Sequence, residues 1–416
     1  MTSEAKAGKL RVTVWGINYS PELIGIAPYN TALCQFLLRK GHEPRMVTTF
    51  AYYPSWKKLP GEECRLYRTD VIEGVPVHRC WHYVPAKVTT LRRIAHEGTF
   101  VLTSFLRQLF LPRPDLLVVV SPPLFLGVAA WLLGVIKGCP FVFHVQDLQP
   151  DAAASLGMVK RGLFLRLLYW LEAFTYARAA RVSGISGGMM EAFAAKGVPE
   201  ARRVYFPNGV TLAPRGGQPE PGRFRARFNI GADEFLAVYS GNLGVKQGLE
   251  IIVQAGKWTS GKVRIVICGD GSQRPQLEAE IKARGLKQVM LLPLQPQEGY
   301  REMLRDADVC LITQQRGTGQ FFLPSKLLGI LALSKPVLTV GDETSELVKA
   351  VREGGFGVNV PPESPEKLAA SLNEMAAHPE QLAAFGEAGR RYVERFDFEK
   401  VHTRFEQDLR RAAGGK

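Results

Sequence analysis

Lys326 is the residue around which ionic chemistry can be built. It stands in FFLPSKLLGILAL, residues 321–333, where Pro324-Ser325 reads as a helix start with serine as the N-cap. The next two turns are otherwise apolar. A helix N-terminus carries roughly +0.5 of partial charge, so a lysine in its first turn is unfavourable unless an anion is present. A diphosphate would satisfy free amides, dipole and ammonium together. The competing reading is a lysine that snorkels from a buried helix to the surface.

Other segments point to the same anion. YSGNLGVKQGLE, residues 239–250, ends an apolar run and supplies Gly241, Asn242, Gly244, Lys246 and Gly248 before a helix begins. Glycines there bring backbone N–H groups close to a phosphate, and Lys246 adds a point charge. The GxxxxGK[ST] spacing is missing, which disfavours P-loop ATP hydrolysis. ICGDGSQRPQLE repeats the device with Gly269 and Gly271, and NYSPELIGIAPYN does so with Gly25. A plain tight turn accounts for any one of these loops; three in one chain carry more weight. In PFVFHVQDLQPD, His144 and Gln146 lie two apart and share a face, with Asp147 at the strand end, so all three could point into a cleft. A structural histidine is the other reading of His144.

These residues need strands that stop beside them. Short apolar runs alternate with helical patterns, the mark of buried parallel strands joined by crossover helices. Strands are predicted at 10–17, 43–50, 115–121, 140–147 and 180–186, then at 235–242, 263–271, 289–294, 308–313 and 336–341. FPNGVTLAPRGGQPEPG separates the two series and reads as a linker. The expected fold is α/β, two doubly wound Rossmann-like domains facing across a cleft, with ligands at the C-terminal strand ends. The boundaries are 1–208 and 209–397, with a helix at about 398–416 returning to the first domain.

The chain has 416 residues and a net charge of +14. Residues 1–205 hold 25 Lys/Arg against 14 Asp/Glu, a net +11, which leaves +3 for the rest. That asymmetry favours a polyanionic partner on the first half, and an anionic membrane or phosphorylated lipid fits better than nucleic acid, since no nucleic-acid motif is present. Six cysteines without CxxC spacing read as reduced, buried thiols. No signal peptide and no transmembrane helix are expected: LFLGVAAWLLGVIKG, residues 124–138, is too short to span a bilayer. TTLRRIAHEGTFVLTSFLRQLFLPR, residues 89–113, and KRGLFLRLLYWLEAF, residues 160–174, each read either as a basic amphipathic helix on a membrane or as a helix packed on the sheet.

Together SPELIGIAPYN, ISGGMMEAFAAKGVP, VYFPNGV, YSGNLGVKQGLE, ICGDGSQRPQLE and PSKLLGILALSKPVL resemble the retaining nucleotide-sugar glycosyltransferases of family 4, of GT-B fold. The resemblance runs nearly the full chain. GINYSPELIGI, FAYYPSW and HVQD narrow it to the colanic-acid-type exopolysaccharide enzymes.

The resemblance implies a nucleotide-diphosphate sugar on the C-terminal domain. Its diphosphate would meet Lys246, the Ser325-Lys326 helix start and, on closure, the Gly25 loop. The base would lie near Gly269 and the Leu292–Leu294 stretch. A polyprenyl-diphosphate-linked saccharide would enter through the N-terminal domain, near His144 to Asp147, in a cytoplasmic enzyme peripheral on the membrane's inner face. Transfer with retention needs charge stabilisation of the leaving group, and no metal or other cofactor is expected because lysines and amides supply that charge. The family's two glutamates, eight positions apart, align here with Phe321 and Gly329, and its catalytic-site histidine aligns with Gln146. A silent nucleotide-sugar-binding subunit and a GT-B epimerase or phosphorylase are the alternatives.

Overall fold

The apolar runs fold into two separate sheets. The computed structural model describes residues 8–23, 25–62, 65–87, 89–155, 162–212, 220–319 and 323–414. The first sheet comprises β1 (Arg11–Trp15), β2 (Glu43–Thr49), β3 (Tyr67–Ile72), β4 (Val75–Cys80), β5 (Leu116–Ser121), β6 (Phe141–Val145), β7 (Arg181–Gly184) and β8 (Arg203–Tyr205). Their order is β3-β4-β2-β1-β5-β6-β7-β8, parallel except for the antiparallel β3-β4 pair. The second contains β9 (Phe235–Asn242), β10 (Val263–Asp270), β11 (Val289–Leu292), β12 (Val309–Thr313), β13 (Val337–Val340) and β14 (Gly357–Val360). Its order is β11-β10-β9-β12-β13-β14, parallel throughout. Central strands such as β5 and β12 are buried along their whole length, which explains their unbroken Val, Leu and Ile.

The chain divides into two compact units, residues 1–207 with 402–416 and residues 208–401. Both sheets are doubly wound. Strand order reverses between β1 and β5 in one and between β9 and β12 in the other, and the loops carrying Gly25 and Gly241–Gly248 leave β1 and β9. Crevices at such reversals are where open α/β sheets hold ligands.

The last helix, Phe398–Gly414, carries His402 onward into the first unit. There Phe405 stacks on Phe206 with centroids 3.8 Å apart, and Glu406 reaches His42 Nε2 at 3.1 Å. Four strands escaped the sequence reading: β3, β4, β8 and β14. Of the linker, residues 213–219 lie outside the described residues, while Val210 bridges to Asp397. Five cysteines are free and buried, and Cys64 lies outside the described residues. No helix among the described residues is long and apolar enough to cross a membrane.

Candidate active site

In the second unit, β9 and β10 run in register to their ends, placing Gly269 beside Gly241 and Asp270 beside Asn242. A Cβ on Gly269 would lie 2.0 Å from the Gly241 carbonyl oxygen, so the absent side chain is demanded by the neighbouring strand. Gly271 has φ +155, and its Cβ would meet Leu243 O at 2.5 Å. The sheet's own packing therefore accounts for both glycines. Arg274, which the sequence reading passed over, ties this edge together by donating to Gly269 O at 2.7 Å and Leu292 O at 3.0 Å. Leu292 closes β11, two residues short of the predicted strand end, and Leu294 stands outside it, 61% exposed.

Lys326 reaches this edge from the helix Ser325–Ala332. The N-cap is Pro324, not Ser325; no side chain caps the first turn and no acid stands in it, so the serine is an exposed first-turn residue. Lys326 Nζ lies 3.8 Å from the centre of the Tyr239 ring and 3.4 Å from Ser240 O. Burial, opposed only slightly by Cys310, pushes its amine down to about 7. A half-buried amine against an aromatic face, with no carboxylate neighbour, is stabilised as ammonium when an anion arrives. The snorkelling alternative is removed, because the side chain bends along the end of β9.

Lys246 is exposed on the turn Val245–Gln247, whose backbone is held by Gln315 N donating to Lys246 O at 2.8 Å. Asn242 is exposed, and its carbonyl accepts from Tyr239 Oη at 2.9 Å. Both lysines thus belong to the C-terminal end of β9, one against its backbone and one on the loop that follows. Near the end of β12, Thr313 Oγ1 and both polar atoms of the buried Gln314 side chain lack a hydrogen-bond partner among the described residues. Phe321 lies outside the described residues, whereas Gly329 is helical and a Cβ there would meet nothing within 4 Å among the described residues.

The first unit corrects one expectation. His144 does not face solvent; it is buried in β6 near Phe206 and Phe405. Its Nε2 lies 2.8 Å from Gln146 Nε2 and its Nδ1 2.9 Å from Ser183 Oγ. An amide nitrogen only donates, so Nε2 accepts and the ring proton sits on Nδ1, pointing to the serine. Burial, then His402, holds this imidazole down to about 3. It is a neutral strut for Gln146, which is half-buried just past the strand end, while Asp147 is exposed.

Gly25 lies on an exposed turn before α1 (Ala27–Arg39), another helix start with no side-chain cap and no first-turn acid. Glu22, missed from sequence, braces that loop: Oε1 accepts from Tyr52 N at 2.9 Å and Tyr53 N at 2.8 Å, and Oε2 from Asn18 Nδ2 at 2.8 Å. No signal distinguished this glutamate from a surface one. Among the described residues no three His, Cys, Asp or Glu side chains gather as a metal set.

Two family descriptions match in tandem, "Glycosyl transferase 4-like domain" over residues 25–209 and "Glycosyl transferases group 1" over residues 222–392. The putative colanic acid biosynthesis glycosyl transferase WcaI of Escherichia coli K12 is 33% identical over 412 residues, 96% of this chain and 100% of that one. Sucrose-phosphate synthase from Thermosynechococcus elongatus shares the fold with TM-score 0.76 at 17% identity, over 98% of this chain and 100% of that one. HepE of Anabaena, crystallised with UDP-glucose, superposes with TM-score 0.69 at 16% identity over 96% and 99%. With paired Rossmann-like sheets and a relative this close along its whole length, the chain belongs to the family 4-type glycosyltransferases of GT-B fold.

Proposed function

We propose that the chain moves a sugar, with retention of configuration, from a nucleoside-diphosphate donor to a saccharide on a polyprenyl diphosphate, in the assembly of a surface polysaccharide. The donor rests on residues 209–397 and the acceptor enters through residues 1–208. The enzyme works from the cytoplasmic side, peripheral on the inner face of the membrane. The carrying observation is the placement of Lys326 Nζ at an uncapped helix start, against the Tyr239 ring and Ser240 O at the end of β9. The name of the E. coli relative supports the polysaccharide setting, and the UDP-glucose in HepE supports the donor class.

In this reading the acceptor oxygen bonds to the anomeric carbon as the sugar–phosphate C–O bond breaks. The acceptor proton passes to the departing diphosphate. Lys326, Lys246 and the first-turn amides stabilise the charge that develops there, so no metal ion is required. Asn242, Gly241, Gly269 and Gly271 shape the floor beneath the donor, with Leu292 and Leu294 beside the base. Gln146, held by His144, and Asp147 orient the reacting sugar and the acceptor hydroxyl.

Incubation with UDP-, GDP- and dTDP-sugars and a polyprenyl-diphosphate-linked sugar tests the proposal. Transfer by the wild type and its loss in Lys326→Ala is the expected result; transfer unaffected by Lys326→Ala would remove the assigned site. Gly329, where the family carries a carboxylate, favours a second reading, a silent nucleotide-sugar-binding subunit. Donor binding without transfer or hydrolysis would establish it.

A further inference from the structure

The helix α2 (Thr90–Phe110) is folded inside out for a soluble protein. Its buried residues are His96, Glu97, Phe100, Thr103, Ser104 and Gln108, all but one polar. The inward face is pinned: Trp15 Nε1 donates to Ser104 Oγ at 2.9 Å, Thr103 Oγ1 to Trp81 O at 2.6 Å, and Tyr67 Oη to Thr103 O at 3.1 Å. Rotating α2 to hide its apolar stripe would break all three bonds and leave buried polar groups orphaned. Outward stand Leu91, Leu102, Leu106 and Phe110, the last 85% exposed.

The stripe is not isolated. α2 packs against α3 (Leu126–Lys137) and α3 against the helix Leu163–Arg178, with α2 and α3 both lying on strands of the first sheet. α3 exposes Leu132, Val135 and Ile136. The third helix exposes Leu167, Trp170 and Leu163, which is 84% exposed. Three neighbouring helices with outward leucines and aromatics exceed the scattered apolar residues of an ordinary surface.

Charge selects the occupant. The carboxylates of these helices, Glu97 and Glu172, are both buried and paired, with Arg93 and Lys196. No exposed acid stands on any of the three, while Arg92, Arg93, Arg166 and Arg178 are exposed there. A face apolar at its centre, basic around it and free of exposed carboxylate is complementary to anionic headgroups over hydrocarbon. A water-soluble protein partner would ordinarily meet both signs of charge.

We infer that α2, α3 and the helix Leu163–Arg178 form one docking face that inserts its leucines and Trp170 into an anionic lipid surface. The inference deepens the proposed action on a lipid-linked acceptor, and vesicle binding is scored apart from sugar transfer so that either can fail alone.

The full chain is floated with vesicles of phosphatidylcholine, with and without phosphatidylglycerol. Co-flotation with the anionic vesicles is expected, together with quenching of Trp170 by brominated lipid that disappears in Trp170→Phe. The double variant Leu102→Ser, Phe110→Ser should lose about a hundredfold in vesicle affinity. Its thermal midpoint, and transfer to a water-soluble acceptor, should not change, because both side chains are exposed. Arg92→Gln and Arg166→Gln should each lose about fivefold. Failure to float, equal binding to uncharged vesicles, or Trp170 left unquenched would overturn the inference. So would a wild-type dimer that the double variant turns monomeric, which would assign the face to a second copy.

Discussion

Burial brings the Lys326 amine from its ordinary 10.5 down to about 7, so the free protein holds it half-protonated at neutral pH. A diphosphate favours the ammonium, and donor binding above pH 7 should therefore take up a proton. Donor affinity is expected to fall about tenfold per pH unit above that value, and calorimetry at pH 8 in buffers of different ionisation enthalpy reads the uptake directly. Lys326→Met should abolish the pH slope and weaken the donor severely. The free enzyme should also gain stability from pH 7 upward towards 10.5, a window in which the unfolded chain holds the proton and the folded one does not. Gly329 offers the converse experiment: its Cβ position is open, so Gly329→Ala should stabilise the helix Ser325–Ala332 by about 0.5–1 kcal/mol, measured by urea unfolding. The placement of Lys326 in a first helical turn was legible because helix start, apolar turns and a lone amine are local facts. That of His144 was not, because Phe206, His402 and Phe405 close over it from distant parts of the chain.

Elements that alternate cleanly or run apolar were readable; those whose polarity is set by neighbours were not. β3 is an edge strand of YRTDVI with no residue fully buried, and the Glu73-Gly74 turn joining it to β4 carries φ of +48° and +82°. Asp70 pairs with Arg68 and Arg79 there, in a strand too polar for the apolar pattern to reveal. α2 was legible as an amphipathic helix, but not which face turns inward, since that depends on Trp15, Tyr67 and Trp81. The loops leaving β1 and β2 depend on one carboxylate. Glu22→Ala would strip three N–H groups of their acceptor and should cost about 1–3 kcal/mol in urea unfolding, with faster proteolysis around residues 52–62. An unchanged midpoint would show that water replaces the carboxylate without loss.

At the scale of the whole molecule, the two sheets followed from periodicity, and the discontinuity of the first unit shapes its response to acid. His82 and His96 are buried at 5.1 Å between ring centres, and burial pushes both imidazoles down; the buried His144 imidazole is held down to about 3. Groups depressed in the folded state stabilise it above pH 6.5 and lose that contribution as pH falls. His144 alone should remove about 1.4 kcal/mol per pH unit between 6.5 and about 3. The thermal midpoint is expected to drop steeply below pH 6, and His144→Phe to flatten the curve; parallel curves would exclude this origin. The net +11 of residues 1–205 was visible in composition, but its meeting with exposed leucines appears only once three helices lie side by side. The returning segment has one more consequence. Residues 402–416 supply Phe405 and Glu406 to a sheet whose last strand ends at residue 205, so that sheet is translated first and completed last. On the ribosome the second unit can close while the first still lacks its final helix, and a chain stopped at residue 397 should emerge with an unsealed aromatic pocket and a need for chaperones that the full-length chain does not share.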